Sequence, residues 1–323
     1  MKVLFISSGN DKFFKIVPFI ASQAQSLREN GVEVDSFLIQ KKGAWGYFLN
    51  IFKLRKFLKE NKYDILHAHY ILSAWVTVLT LSKTPIVVSL MGDDAYGTYT
   101  GYKRVNFSSL YLPFLTLLIQ PFVNGIISKS KNIEKFVYRK KISFIIPNGV
   151  KIEDFILPRE NCRKELGLMP GKKYILFLGD KNNIRKNFRL VKTSINQLAD
   201  ANAELLSPYP VKHEQVAKYL NAVDVFLFTS FSEGSPNAVK EAMACNCPIV
   251  ATDVGDVKWL LGQLDGHYLV SFNPQDVVEK LKAALKFSQS FGRTKGRDRL
   301  ISLGLNIEFT AKRVIEIYEA CRR

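Results

Sequence analysis

Two successive rounds of short apolar runs alternating with helical patterns limit what this chain can fold into. Residues 2–7 (KVLFIS) form an apolar run that closes at Gly9. Phe19, Ala24 and Leu27 then recur at helical spacing up to Asn30-Gly31, a stop signal, and VEVDSFLI reads as a second strand. YDILHAHY, a helix over about 73–81, PIVVSLMG, GIISKS and ISFIIPNG continue the series. Such alternation predicts a parallel sheet covered by helices on both faces. After Pro147-Asn148-Gly149 comes a polar stretch to about Lys173, and the alternation restarts with YILFLG, AELLSP, DVFLFTS and PIVATD. The restart predicts a second doubly wound domain. Ligands of open parallel sheets bind beyond the carboxyl ends of the strands, so two such domains facing each other would enclose a cleft. A last helix, about 307–323, carries Phe309, Val314, Ile317 and Tyr318 at helical spacing beyond the second set of strands, and needs another surface to cover.

A length of 323 residues suits two cores rather than one. The four cysteines (Cys162, Cys245, Cys247, Cys321) include no Cys-x-x-Cys pair and no histidine at zinc spacing, which argues against a disulfide framework or zinc site and fits a reducing cytoplasm. The opening MKVLFISSGNDKFFK reads as a first strand, not a signal peptide. The longest apolar stretch, about 110–119, contains Pro113 and is too short to span a bilayer. Net charge is +17, of which residues 1–151 carry +12 and the remainder +5. A field of this kind attracts nucleic acid, acidic phospholipid or a phosphorylated substrate, and charge alone does not choose among them.

The most informative segment follows the strand DVFLFTS and reads FSEGSPNAVKEAMACNCPIVATDVG. Ser235-Pro236 is read as an N-cap with proline at the first helical position, opening a helix to about Cys245. Its first amides, near Asn237 and Ala238, would bind an anion or a sugar hydroxyl. Glu233 in the loop and Glu241 on the second turn can point into one cleft; in isolation the same spacing also describes a capped surface helix with solvated glutamates. His67 and His69, near a strand end, lie on one face by alternation and are read as packing and polar support.

The whole stretch resembles the signature of the retaining GT-B glycosyltransferases of family 4, whose two glutamates have seven residues between them, as Glu233 and Glu241 do. The resemblance extends over the opening strand and glycine loop at Gly9, the DILHAH strand, SFIIPNGV with Asn148, YILFLG with its basic loop, LNAVDVFLFTS and the last helix. It implies an α/β GT-B fold of two Rossmann-like doubly wound domains facing a central cleft: 1–155 for the acceptor, 156–304 for the nucleotide sugar, and a helix at 305–323 returning to the first domain. It further implies that Glu233 contacts the donor sugar and Glu241 the ribose, with Gly9, Asn148, Gly234, Ser235, Pro236, Asn237 and Ala238 also on the donor side. Arg185 and Lys186 in GDKNNIRKNF stand where the family neutralises the donor diphosphate. Two departures stand out. Asp180 occupies a position where many members have arginine, so that Lys181 or Arg185 would supply the phosphate contact, and Met91 stands where a histidine is common. Asp93 and Asp94 remain as contacts to donor or acceptor, or as caps of a turn.

No Asp-x-Asp sequence occurs, which argues against enzymes that hold the diphosphate through a divalent ion; no cofactor or metal is expected, and UDP is the expected nucleotide. Residues 41–62 combine seven lysines and arginines with one glutamate and several aromatics on an amphipathic pattern that suits an anionic membrane or a solvated helix. No nucleic-acid-binding motif accompanies the charge. The expectation is a cytoplasmic, metal-independent transferase, peripheral at the inner face of the membrane, that moves a sugar from a nucleotide diphosphate to a lipid-linked glycan of a cell-surface polysaccharide. The alternatives are a sugar-nucleotide epimerase of the same fold and a non-catalytic basic membrane-binding protein.

Overall fold

The computed structural model describes residues 1–10 and 14–322, and its chain divides into two units. The first runs through β1 (Lys2–Ser8), α1 (Pro18–Glu29), β2 (Glu33–Ile39), α2 (Gly43–Glu60), β3 (Ile65–His69), α3 (Ile71–Val78), β4 (Ile86–Leu90) and α4 (Asp93–Tyr96). After an excursion, the antiparallel hairpin β5 (Tyr99–Gly101) and β6 (Arg104–Val105), it resumes with α5 (Tyr111–Ile119), β7 (Gly125–Ser128), α6 (Lys131–Glu134) and β8 (Ser143–Ile145). The second unit holds α7 (Arg159–Glu165), β9 (Lys173–Leu176), α8 (Phe188–Leu198), β10 (Ala203–Leu206), α9 (His213–Ala222), β11 (Val225–Phe228) and α10 (Asn237–Ala244). It continues with β12 (Ile249–Thr252), α11 (Val257–Leu261), β13 (His267–Val270), α12 (Pro274–Phe291) and α13 (Gly296–Ser302), and the chain ends in α14 (Ile307–Arg322).

Both sheets are parallel. Their strand orders are β2-β1-β3-β4-β7-β8 and β10-β9-β11-β12-β13. Each order reverses beside its first strand, between β1 and β3 in the first unit and between β9 and β11 in the second. At such a point the connections leave in opposite directions and a crevice opens at the carboxyl ends. Successive strand residues serve opposite faces. On one face of the first sheet, Leu4, Ile6, Leu66, Val88 and Ile126 pack under α2, α3 and α5; on the other, Val3, Phe5, Ile65, Val87 and Ile127 meet α1 and α14. The second sheet is likewise buried on both faces.

Two boundaries differ from those the resemblance implies. The first unit ends at Gly149, not at residue 155, and the hairpin at residues 99–105 belongs to the second unit although it lies between two helices of the first. Tyr102 of that hairpin packs on Phe272, which packs on Phe231, with ring centroids 4.9 and 5.2 Å apart, so aromatic contact takes the segment out of its sequence neighbourhood. β13 was not expected either: three of its four residues are only half-buried, so no apolar run marks it.

α14 is part of the first unit. Ala311, Val314, Ile317 and Tyr318 bury one stripe of it against the sheet, and each large apolar side chain contributes about 1.5–3 kcal/mol. The close approach needs Gly125, where an added Cβ would stand 3.0 Å from Cys321 Sγ. The stripe also carries a polar link. The Tyr318 hydroxyl lies 2.5 Å from His67 Nδ1, and Ser89 Oγ lies 2.8 Å from His67 Nε2. Burial, together with the charges of His69 and Lys129, lowers His67 well below its ordinary value, so the ring is neutral and one nitrogen accepts while the other donates. Removing the hydroxyl by Tyr318→Phe leaves a buried ring nitrogen without a partner. It should cost about 1–3 kcal/mol of unfolding free energy in urea at pH 7, with an unchanged denaturant slope.

Candidate active site

The carboxyl ends of β9 and β11 diverge at the reversal of strand order in the second unit, and their two loops are stitched together there. After β9 the chain turns through Asp180, whose carboxylate accepts from Asn182 N at 2.9 Å, into a 3-10 turn at Ile184–Lys186 capped by the Asn183 side chain. After β11, Thr229 Oγ1 donates to the Lys186 carbonyl at 2.9 Å and Phe231 N donates to the Arg185 carbonyl at 2.8 Å. These bonds fix the backbone that carries the two cations beside the loop that carries the first glutamate.

Glu233 is nearly buried, with 11% of its side chain exposed. Its Oε1 accepts from Lys186 Nζ at 2.6 Å and from Ser230 Oγ at 2.9 Å, and its Oε2 from Arg185 Nη1 at 3.3 Å. Burial alone would raise the carboxyl, but the charges of Lys186 and Arg185 and the two hydrogen bonds outweigh it and hold Glu233 below the ordinary range. A second constraint acts on the main chain. Gly255 has φ +62°, and a Cβ there would stand 2.5 Å from the Glu233 carbonyl and 2.6 Å from that of Gly234, so only glycine lets the loop after β12 press against the glutamate loop.

α10 follows, and its start corrects the capping assignment. Pro236 is the N-cap residue and Asn237 the first helical one, with no side-chain cap. The Ser235 hydroxyl turns inward and accepts from Lys240 Nζ at 3.2 Å, which leaves it no part in capping. Glu241 pairs with His213 of α9, Nε2 to Oε1 3.1 Å. The hydrogen bond to Glu241 raises His213 above its ordinary value against the opposing effect of burial, and the charge of Glu241 adds to it. Thus Arg185, Lys186, Glu233, Gly234, Ser235, Pro236, Asn237, Ala238 and Glu241 occupy one end of the second unit. Lys181 is exposed, its ammonium 5.4 Å above the Phe188 ring.

Gly9, Asp93 and Asn148 belong to the first unit, after β1, β4 and β8 at the carboxyl end of its sheet. Asp94, one of the residues with two readings, is a cap: its buried carboxylate accepts from Met91 N at 2.9 Å and Gly92 N at 2.8 Å, and burial raises it to about 7 despite those bonds. Asp93 accepts from Thr98 Oγ1 at 3.3 Å. His213 and Asp256 escaped the sequence reading because they reach the site from other elements, and Ser230 and Lys240 because single polar residues in a loop or on an amphipathic helix carry no spacing signal.

Comparison with known proteins bears on this geometry. A family model described as glycosyl transferases group 1 matches residues 173–286, and one described as glycosyl transferase 4-like matches residues 14–129. Among characterised relatives, a Bacillus subtilis glycosyltransferase named for teichuronic acid biosynthesis is 26% identical over 69% of this chain; the match spans 61% of that relative's length. A Campylobacter jejuni N-acetylgalactosaminyltransferase, whose name gives a diacetylbacillosaminyl diphospho-undecaprenol as its acceptor, is 24% identical over 97% of this chain and 92% of its own. In fold, the chain is similar to sucrose-phosphate synthase of Thermosynechococcus elongatus, with a TM-score of 0.81 at 16% identity over 99% and 98% of the two chains. It is also similar to Anabaena HepE, solved with UDP and glucose, with a TM-score of 0.73 at 14% identity over 98% of each.

The ion-pair cluster has a measurable acid signature. Because the folded-state carboxyl of Glu233 lies below its unfolded value, roughly 4.3, its contribution is complete above that value and is lost as pH falls through the lower folded one. The gap in unfolding free energy between wild type and Glu233→Gln should stay constant from about pH 6 to 8 and shrink below about pH 4, as followed by urea titrations at each pH.

Proposed function

The chain belongs to the group 1, family 4 glycosyltransferases of GT-B fold, and we propose that it transfers a sugar from a nucleotide diphosphate, UDP in the first place, to a lipid-linked glycan in cell-surface polysaccharide synthesis, with retention of configuration. The observation that carries this reading is the meeting of Arg185, Lys186 and Glu233 where β9 and β11 diverge, with Glu241 on the adjoining helix.

When the bond between sugar and diphosphate breaks, negative charge grows on the leaving group. Two cations already fixed by main-chain hydrogen bonds need no reorganisation to meet that charge, and a preorganised donor of this kind contributes about 3–4 kcal/mol. Arg185 and Lys186, aided by the first amides of α10, take this role with no resident metal or cofactor. Arg185 rather than the exposed Lys181 compensates for Asp180. Glu233, kept ionised by its neighbours, accepts hydroxyl hydrogens of the donor sugar, and Glu241 those of the ribose. Gly9, Asp93 and Asn148 are assigned to substrate contacts at the carboxyl end of the first sheet.

The acceptor assignment rests on relatives named for undecaprenyl diphosphate-linked substrates and on the surface of the first unit. Along α2, Trp45, Phe48 and Phe52 stand exposed in a ladder with ring centroids 5.4 and 5.3 Å apart, and Lys53, Arg55, Lys56 and Lys59 are exposed on the same helix. Exposed Phe114, Leu117 and Leu118 lie on α5. No helix among the described residues is long and apolar enough to cross a membrane. Aromatic side chains beside lysines suit an interfacial helix on an anionic bilayer, such as the cytoplasmic leaflet.

Three outcomes test these assignments. In a thermal-shift panel of UDP-, GDP- and ADP-sugars, a matched donor at one hundred times its dissociation constant should add about 2.7 kcal/mol of stability. Lys186→Ala should keep the fold but reduce kcat about 100- to 1,000-fold, with the wild-type rate unchanged by a chelator. No stabilisation by any nucleotide sugar would count against a donor site. Replacing Trp45, Phe48 and Phe52 together by alanine should abolish co-sedimentation with vesicles of phosphatidylglycerol and leave donor stabilisation intact; equal sedimentation would remove the membrane assignment.

A further inference from the structure

Lys240 is fully buried on α10, on the face whose other buried members are Val239, Ala242, Met243 and Ala244. An ammonium group in such a place is costly unless it is paired, and an apolar residue of similar size would pack there without that cost. Its surroundings show what it touches. Nζ lies 3.2 Å from Ser235 Oγ, in the turn joining Glu233-Gly234 to the first turn of α10. Asp256, with carboxylate oxygens sealed from solvent, supplies the main opposite charge, and Glu241 adds a second. The residue before Asp256 is Gly255, the glycine pressed against the Glu233 and Gly234 carbonyls. One buried cation therefore adjoins the turn, the loop behind it and the helix bearing Glu241.

We propose that Lys240 and Asp256 form a positioning pair, which touches no substrate but holds the Glu233–Asn237 turn and the start of α10 in the geometry that binds the donor. The idea rests on the donor reading above and adds residues that reading does not use. Opposite charges buried near one another without direct contact are a weak source of stability, and their value lies in holding one arrangement of the groups around them. Burial lowers Lys240 to about 8, against the pull of Asp256 and Glu241, and raises Asp256 to about 6, against the pull of Lys240. Both are charged between those values. The other titratable groups around the pair are Glu241 with His213 of α9, and Glu233 with Arg185 and Lys186.

The test uses the whole protein and UDP-glucose and UDP as probes, with Lys240→Met, Asp256→Asn and the doubly apolar Lys240→Met/Asp256→Leu. Lys240→Met should weaken probe binding about ten- to hundredfold and raise KM more than it lowers kcat. It should also remove a wild-type loss of affinity above about pH 8 that His213→Asn retains. The double variant should recover wild-type melting yet keep the weakened binding. Amides of residues 234–238 should exchange hydrogen faster in both lysine variants without any probe present. A double variant that recovers binding together with melting, or single variants that bind with unchanged affinity, would overturn the proposal. If the wild-type protein binds neither probe, the UDP reading falls, and the exchange of residues 234–238 alone decides: unchanged exchange overturns the positioning pair and faster exchange supports it.

Discussion

A carboxylate sealed in protein is tolerated only where cations and hydrogen-bond donors meet it, and at Glu233 that requirement organises the second unit. Lys186, Arg185 and Ser230 supply the partners. The cations hold their places because Thr229 and Phe231 bond to the carbonyls of the same two residues. The loop after β12 closes the back of the turn at Gly255, where no side chain fits. Strand order makes the meeting possible: β9 and β11 are neighbours in the sheet although about fifty residues separate them in sequence, so their carboxyl ends deliver the two loops to one place. The charges of the site thus depend on the sheet, and the turn on the charges.

The first unit solves a different problem with similar means. Its sheet has two apolar faces, and one is completed only by α14, from the far end of the chain. The stripe of Ala311, Val314 and Ile317 supplies the area, while Tyr318 ends it with a hydroxyl beside His67. His67, a neutral imidazole between a phenol and a serine, is a satisfied polar group inside a core, and the His69 ring stacks on it with centroids 4.3 Å apart. The exposed aromatic and basic residues of α2 and the exposed apolar residues of α5 lie on helices whose inner faces build the opposite core.

Much of this was legible in the sequence. Parallel strands buried on both faces must be continuous apolar runs, so YILFLG, DVFLFTS and PIVATD announced themselves, and the restart after Asn148-Gly149 separated the two sheets. Glu233 and Glu241 stood out because their segment resembles the family's glutamate signature, since in isolation the same spacing also describes a capped surface helix. Arg185 and Lys186 stood out because they lie in the loop after YILFLG where the resembled family neutralises the donor diphosphate. What stayed hidden was nonlocal. The capping role given to Ser235 was misread because its hydroxyl answers to Lys240, five residues on and buried, rather than to the nearer amides. The hairpin at residues 99–105 joins the second unit through Tyr102 and Phe272, a pairing no local pattern encodes.

Periodicity within single elements made the two alternating patterns and the apolar stripe of the last helix legible from the residues alone, whereas the pair of glutamates gained its meaning from the family resemblance. The fold was needed to show that Tyr318 of α14 meets His67, that Glu233 lies between Arg185 and Lys186, and that His213, Lys240 and Asp256 stand around Glu241 and its turn. Those outcomes depend on which elements become neighbours, and that is set by the burial of both faces of each sheet and by the pairing of buried charge, both of which act across the chain.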